Sequence, residues 1–389
     1  MTEAVIVAAA RTPIGRAGKG SLVGARSDDL GGFVVEQTLG KVPEVDPGEI
    51  EDLYWGCALT YYSQGYNIAR QVGLLGGLPN SVGATTMTRA CASSLTAVRA
   101  AAHAIAAGDG TAYMVGGSDS YSMVFGRGFG EDDQNPRFTD EGRPDFVNHA
   151  YIDVFDTAEK VADRYQVSRQ AMDELALRSH RLAVAARADG FWDREIAPYP
   201  LADGETVAAD DCPRGDTSME RLAALKPVVP ALGGRVTAGN TTVAGDGAAA
   251  MLLMSRARAE ELGVTPLARV VSSAVSGLEP ELMGLGSIEA TRKALDRASL
   301  KVEDLDIVEC HENFSAQVLP IVEELGIDVD RQLNPFGGSL ALGHPSGMTG
   351  VRLLATLLNG LTTRDQTLGA ATTCAAGGQG LTVVLERLS

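Results

Sequence analysis

A cysteine, Cys91, stands in "TTMTRACASSLTAVRAAAHAIAAGDG" (85–110), where an apolar strand stops and an alanine-rich helix begins. A thiol in that place has two uses. It packs as a small apolar side chain, as most free cysteines do, or it reacts as a thiolate favoured by the helix dipole and the unpaired N–H groups of the first turn. A reacting thiol needs a base beside it. One such base is His344, in "NPFGGSLALGHPSGMTG" (334–350), framed by Gly337, Gly338, Gly343 and Gly347 and followed by Pro345 at a helix start. Cys374, in "TTCAAGGQG" (372–380), reads as lying on a turn between two apolar strands, where the glycines leave it little cover. "CHENFSAQ" (310–317) places His311 and Glu312 just after a strand, at the carboxyl end where parallel sheets bind ligands. A Cys–His–Glu metal site is the alternative there. Three adjacent side chains diverge and lack chelating spacing, so no metal is expected. His103 and His180 fall inside helical patterns and read as structural; His149 stays open.

The elements that must bring these residues together are duplicated. "CASSLTAVRAAA" (91–102) aligns without a gap on "HPSGMTGVRLLA" (344–355), with Ser93, Thr96, Val98, Arg99 and Ala102 recurring as Ser346, Thr349, Val351, Arg352 and Ala355. Upstream, Glu51-Asp52-Leu53 recurs as Glu303-Asp304-Leu305 at nearly the same offset. Two matches in one order point to a repeat. Each copy reads as alternating strands and helices. The first has strands near 3–9, 51–57, 83–88 and 111–117 and helices near 28–40 and 92–107. The second has strands near 267–274, 305–310, 368–373 and 380–386 and helices near 287–298, 315–325 and 346–359. Such alternation predicts an α/β fold with mainly parallel sheets covered on both faces. Cys91 and His344 hold the same position in the two copies, so a pseudo-twofold axis would set the two helix starts face to face.

Between the copies the text changes. A polar run, "GEDDQNPRFTDEGRPD" (130–145), precedes an amphipathic stretch in which Ser168 reads as the N-cap of "RQAMDELALRSHRLA". The expected division is 1–120 with 246–266 returning to it, an inserted loop domain over 121–245 that covers the site, and 267–389.

Composition narrows the partners. The 389 residues suffice for two or three domains or one duplicated unit, and 45 glycines fit many tight turns. A net charge of −17 argues against nucleic acid and anionic membranes. A nucleotide-containing ligand would then need a local basic pocket. No apolar run reaches the roughly 18 residues of a membrane span, and "MTEAVIVAAARTPIGRAG" reads as a strand rather than a signal peptide. Five cysteines without close paired spacing suit a reducing cytoplasm and free thiols.

A set of ordered motifs runs nearly the whole length: "RTPIG" (11–15), "CASSL" (91–95), "TAEKVA" (157–162), "SRQAMDELALRSHRLA" (168–183), "RVTAGNTTVAGDGAAA" (235–250), "HENFSA" (311–316), "GGSLALGHPSG" (337–347) and "CAAGGQG" (374–380). In these the chain resembles the thiolases, which exchange acyl groups on coenzyme A through a cysteine. The resemblance implies two βαβαβαββ halves in a layered αβαβα core with an inserted loop domain. It implies Cys91 as the nucleophile, His344 as its base, and Cys374 as the acid/base for the departing acetyl-CoA carbanion. The backbone N–H groups of Cys91 and Ala376 would hold one oxyanion; His311, beside His344, would hold the other. For coenzyme A it points to Arg214 and Thr242, and for the acyl pocket to Met283, although a surface arginine and a core methionine are equally good readings of those residues. Coenzyme A thioesters would be the substrates, with no tightly bound cofactor. A homodimer or homotetramer is implied, with a hydratase–dehydrogenase subunit as a possible partner.

Three positions depart from the family's pattern. His311 stands where many members have asparagine, as in trifunctional-enzyme-like degradative branches. Ala376 stands where glycine is usual, and its N–H serves only if the backbone angles suit a Cβ. "VFDTAE" (154–159) replaces a Met-Gly pattern in the acyl pocket. The expected reaction is thiolytic cleavage of 3-ketoacyl-CoA in fatty-acid or related degradation. The alternatives are acetoacetyl-CoA-forming Claisen condensation, a decarboxylating ketoacyl synthase (which generally has a second histidine where this chain has Cys374), and a non-catalytic acyl-CoA-binding protein.

Overall fold

The computed structural model describes residues 2–389. The principal strands in chain order are β1 Ala4–Arg11, β2 Asp52–Gly56, β3 Gly83–Met87, β4 Ala112–Ser120, β5 Gly245–Ser255, β6 Ala268–Gly277, β7 Ile307–Cys310, β8 Leu368–Ala375 and β9 Gln379–Arg387. The principal helices are α1 Ser27–Leu39, α2 Ile68–Leu75, α3 Ser93–Ala107, α4 Val154–Arg164, α5 Arg169–Ala188, α6 Gly286–Ala298, α7 Ser315–Leu325 and α8 Ser346–Thr363.

The strands run in the order β7-β8-β9-β6-β1-β5-β4-β2-β3. The first half supplies β1-β5-β4-β2-β3 and the second β6-β9-β8-β7. Among the described residues their strands pair only through Val5 opposite Arg269 and Ile6 opposite Ala268. The sheets are mixed, not mainly parallel as the alternation predicts. Parallel pairing is confined to β2–β3, β2–β4 and β7–β8. At the centre, β1, β5, β6 and β9 pair antiparallel, because each half closes with a strand that returns directly beside its neighbour. β5 has no counterpart in the sequence reading. Its "GDGAAAMLLMS" lacks β-branched residues and alternation, and all of it is buried, so neither face leaves a polar trace.

Three apolar layers follow from the helices' buried stripes. Leu30 and Val34 of α1 and Val72 of α2 cover Leu53, Trp55 and Met114 on the outer face of the first half. Ile288 and Leu295 of α6, with Val318 and Ile321 of α7, cover Val308, Ala370 and Val384 on the outer face of the second. Between the sheets lie α3 and α8, where Leu95 and Val98 share one core with Val351, Leu354, Tyr113, Met251 and Val383. The two central helices cross closely: a Cβ on Gly350 would stand 2.4 Å from the Leu95 amide nitrogen. Their first residues, Ser93 and Ser346, are separated by the offset of the repeat. The layered α/β architecture is thus present, with its two equivalent helix starts at one centre.

Residues 121–244 leave the first half after β4 and return at β5. Ser168 caps α5 by accepting from the Ala171 N–H. The segment is tied to the second half through Arg178, which donates to the carbonyls of Val329 and Leu333. It is tied to β1 by Arg11, whose guanidinium binds Glu195 at 2.6 Å and Asp210 at 2.8 and 3.0 Å. No helix among the described residues is long and apolar enough to cross a membrane.

Candidate active site

Cys91 precedes α3 by two residues on a tight turn. Ala90 before it has φ +43°, a left-handed conformation that costs a residue with a Cβ. Ser93 fastens that turn, donating to the Ala90 carbonyl at 2.6 Å and accepting from the Arg89 N–H at 2.9 Å. The turn aims the thiol into the space in front of α8 rather than along α3. Cys91 is 9% exposed. Burial pushes its pKa up to about 11, against the pull of a hydrogen bond from Ser346 and of the N–H groups of Cys91 and Ala376.

His344 enters from the start of α8, its backbone N–H bonded to the Val243 carbonyl at 2.8 Å. Its Nδ1 lies 2.7 Å from Thr349 Oγ1. That hydroxyl donates its own hydrogen to the Pro345 carbonyl at 2.9 Å, so it accepts from Nδ1–H and leaves Nε2 with a lone pair facing the site. Ser346 Oγ lies 3.1 Å from Nε2 and 2.6 Å from the Tyr121 hydroxyl. Burial, with Arg352 adding to it, lowers the His344 pKa to about 3.

The environment opposes charge on both partners: the thiol's pKa is raised and the imidazole's lowered. Between about 3 and about 11 the resting pair is therefore thiol and imidazole. Moving the proton from one to the other leaves the net charge unchanged. Alkylation of Cys91 by iodoacetamide is accordingly expected to keep rising about tenfold per unit from about pH 6 to about pH 9 with no plateau, whereas a free thiol levels off above its pKa near 8.5. A sigmoidal rise with a midpoint near 8 would contradict this.

His311 follows β7 and faces His344, ring centroids 4.1 Å apart and planes 39° apart. Both rings are buried. Burial, with His344 and Arg352 adding to it, holds the His311 pKa well below the usual imidazole range. Its Nδ1 lies 2.9 Å from Ser339 Oγ, and its Nε2 has no partner. The ligand atoms of Cys91, His311 and His344 all lie within 4.8 Å of one another. Three such atoms are also a possible soft-cation set. The Cys310–His311–Glu312 alternative does not fit. Glu312 turns away to accept from Asn334, Ser179 and the Leu340 N–H at 2.7, 2.7 and 3.1 Å, while the Cys310 thiol faces the His311 carbonyl.

Cys374 is not on the turn where the sequence pattern puts it. It lies in β8 opposite Gly380 and is 2% exposed, because β8 runs one residue past it before the chain reverses. The adjoining strands and Gln317, whose Oε1 lies 3.7 Å from the thiol, supply the cover that the glycines lack. Burial pushes its pKa well above the usual range, and negative charge on Cys91 or Cys310 pushes the same way. In the turn itself the left-handed angles fall at Gly377 (φ +80°) and Gly378 (φ +77°), not at Ala376. Alanine there is unstrained, and its N–H favours charge on the Cys91 sulfur.

Several contributors have no sequence signature. Asp119, at the end of β4, is fully buried and accepts from the N–H groups of Ala58, Leu59 and Gly347 and from Gln64, which fixes the first turn of α8 against the first half. Tyr121, Ser339, Ser346 and Thr349 are common residue types whose roles depend on which turn they occupy. Arg352 was discoverable: a lone arginine in "GMTGVRLLATLL" must be buried with the helix around it.

The ligand-side expectations are placed as follows. Arg214 is exposed, its N–H bonded to His180 Nδ1 at 3.2 Å, on a loop whose Cys212 sulfur would lie 3.4 Å from a Cβ on Gly343, next to His344. Thr242 donates to the Ser339 carbonyl at 2.6 Å. Met283 is buried in a cluster with Phe314, against which Phe155 and Ala376 pack. His149 pairs with exposed Glu141 at 2.7 Å, and His103 is exposed on α3 rather than packed.

A buried thiol, two facing imidazoles and a second thiol, gathered where duplicated α/β halves meet, suit covalent acyl transfer. Residues 4–257 match the family model "Thiolase, N-terminal domain" and residues 264–387 match "Thiolase, C-terminal domain", and the chain belongs to the thiolase family. It is 42% identical over 395 residues to a 3-ketoacyl-CoA thiolase of Aeromonas hydrophila, covering 100% of both chains. It is 42% identical over 392 residues to one from a Marinomonas species, covering 99% of this chain and 98% of the other. The crystal structure of the Bacillus anthracis acetyl-CoA acetyltransferase is 33% identical, with a TM-score of 0.89 over 100% of this chain and 99% of that one.

Proposed function

We propose that the protein is a 3-ketoacyl-CoA thiolase that cleaves its substrate with free coenzyme A through an acyl-enzyme on Cys91. The observation that carries this reading is the convergence of the Cys91 thiol with His344 and His311 within 4.8 Å, beside Cys374. Cys91 attacks the keto carbon as its proton passes to His344 Nε2, and the keto oxygen's charge falls on the N–H groups of Cys91 and Ala376. The C2–C3 bond breaks. Its electron pair leaves as the acetyl-CoA enolate, whose thioester oxygen is stabilised by His311 and the newly protonated His344, and the Cys374 thiol gives its carbon a proton. Coenzyme A then attacks the thioester and returns a proton to Cys374. Acyl-CoA leaves, and the Cys91 thiolate recovers its proton from His344. All protons return to their starting atoms, so both directions use the same groups.

Arg214 would pair with the coenzyme A phosphates, supported by its exposure beside the glycine loop and by the bidentate reach of a guanidinium. Met283, Phe314 and Phe155 would bound the acyl chain. Self-association as a homodimer or homotetramer is supported by the edge strand β3 beside exposed Tyr62 and Tyr66.

The test separates the two thiols. Cys374→Ala is expected to accept an acyl group on Cys91 from a simple acyl-CoA, a half-reaction with no carbon acid in it. Thiolysis of a 3-ketoacyl-CoA should fall by roughly 10²–10⁴-fold, the usual scale for a lost general acid. Equal loss of both reactions would remove Cys374 from the carbon-acid role. No turnover by the parent with any chain length would remove the thiolase reading itself.

A further inference from the structure

The structure assigns to Ser339 and Arg352 the task of locking His311 in the tautomer that carries its proton on Nε2, the atom facing the site. The inference rests on the proposed thiolase reading for its kinetic consequence but not for its geometry. Arg352, on α8, is 1% exposed and cannot lose its proton in a protein. Its Nη2 donates to Ser339 Oγ at 2.6 Å. The same oxygen lies 2.9 Å from His311 Nδ1. Having accepted from a permanent donor, the Ser339 hydroxyl has its own hydrogen left, and among the described residues Nδ1 is the only other polar partner in reach of that oxygen. Ser339 therefore donates to Nδ1, and the ring proton resides on Nε2.

That Nε2 is buried and has no protein partner. A buried N–H without an acceptor costs free energy, which identifies it as a donor held for an atom of the substrate. The neighbouring imidazole has the opposite arrangement. Thr349 spends its hydrogen on the Pro345 carbonyl and accepts from His344 Nδ1. Two rings 4.1 Å apart thus present a donor and a lone pair to the same space, and the difference is written in what each hydroxyl does with its second bond. On its far side Arg352 Nη1 lies 3.8 Å from Glu309 Oε2. A histidine can serve as an oxyanion donor only if its tautomer is fixed, whereas an asparagine amide always presents N–H groups. The lock also explains why the three-ligand set is a poor cation site: a cation on His311 Nε2 would have to displace that proton and reverse the Ser339 bond.

The test is a double-mutant cycle on position 339 in two backgrounds, with the ring nitrogens read directly. In the otherwise native protein, Ser339→Ala is expected to lower kcat by roughly 10–100-fold with little change in KM, somewhat less than the loss of a whole oxyanion donor. Ser339→Thr, which restores the hydroxyl, should recover most of it. In the His311→Asn background, where no tautomer remains to be set, Ser339→Ala should cost less than about twofold, a non-additivity that mere destabilisation would not produce. Nitrogen-15 NMR of histidine-labelled protein should show a protonated Nε2 on His311 in the parent and a mixed or Nδ1-protonated ring in Ser339→Ala. An equal cost of Ser339→Ala in both backgrounds, or an Nδ1-protonated His311 in the parent, overturns the assignment. A parent that fails to turn over any 3-ketoacyl-CoA refutes the thiolase reading, while the NMR result still decides the tautomer.

Discussion

Cys91→Ser is expected to leave a folded protein that forms no acyl-enzyme and whose thiolysis falls on the order of 10⁴-fold or more, the scale seen when a covalent nucleophile is removed. Two features single out this thiol among five that are all buried. Ser346 and the N–H groups of Cys91 and Ala376 favour charge on its sulfur, so charge that develops there meets donors already in place. The Ala90 turn, held by Ser93, directs it toward His344. By contrast, the Cys57 thiol is bonded to Asp119 at 3.4 Å, and a carboxylate beside a thiol opposes its ionisation. A hydroxyl in place of the Cys91 thiol loses its proton far less readily, and His344, with a pKa pushed down to about 3, is too weak a base to compensate. Incubating parent and variant with an acyl-CoA, then locating the added mass by peptide mapping, decides the point. Acyl label on the Cys374 peptide of the Cys91→Ser variant, with turnover retained, would exchange the roles of the two thiols.

The repeat made the meeting of the two helix starts legible without coordinates. Cys91 and His344 are 253 positions apart, and only the alignment of "CASSL" on "HPSGM" says that they are equivalent. The central helices and most strands were legible for the same reason, because apolar periodicity was bounded by glycine and proline. What was not legible depends on partners distant in sequence. The direction of the central strand pairs was misread because alternation of strands and helices does not reveal that β5 and β9 return antiparallel beside β1 and β6. β5 itself, rich in alanine, leucine and methionine, carries the composition of a helix and is a strand because both its faces are covered. Cys374 was misread by one residue of strand, and one residue decides between a turn and a core. The tautomers of His311 and His344 could not be read at all. They depend on Ser339, Thr349 and Arg352, whose residue types are ordinary and whose second hydrogen bonds are set by backbone carbonyls and a guanidinium.

The largest stability effect is expected from the "RTPIG" arginine, which the family pattern marks but whose work lies away from the reacting atoms. Arg11 has no exposed surface. It binds Glu195 at 2.6 Å and Asp210 at 2.8 and 3.0 Å, and those carboxylates are 4% and 3% exposed. Its guanidinium also lies over the Trp192 ring, 5.4 Å from the centroid. The cluster joins three parts of the chain, since Asp210 also accepts from the Ile14 N–H at 2.7 Å and Glu195 from Thr356 of α8 at 3.3 Å. Arg11→Met would strand two carboxylates out of water with no cation, and breaking a buried pair in this way costs about 3–5 kcal/mol. Arg11→Lys keeps the charge but not the planar fork, so it should fall between parent and methionine variant. The control is Arg143→Met. Arg143 meets Asp145 with the same two-pronged geometry, at 2.9 and 3.2 Å, but on an open loop where water screens the pair, and its loss should leave the urea midpoint unmoved. Both arginines grip a carboxylate with two donors, but Arg11 is buried and holds a second carboxylate, Glu195, besides. A midpoint shift of the same size in Arg11→Met and Arg143→Met would therefore mean that desolvation is not what makes Arg11 indispensable.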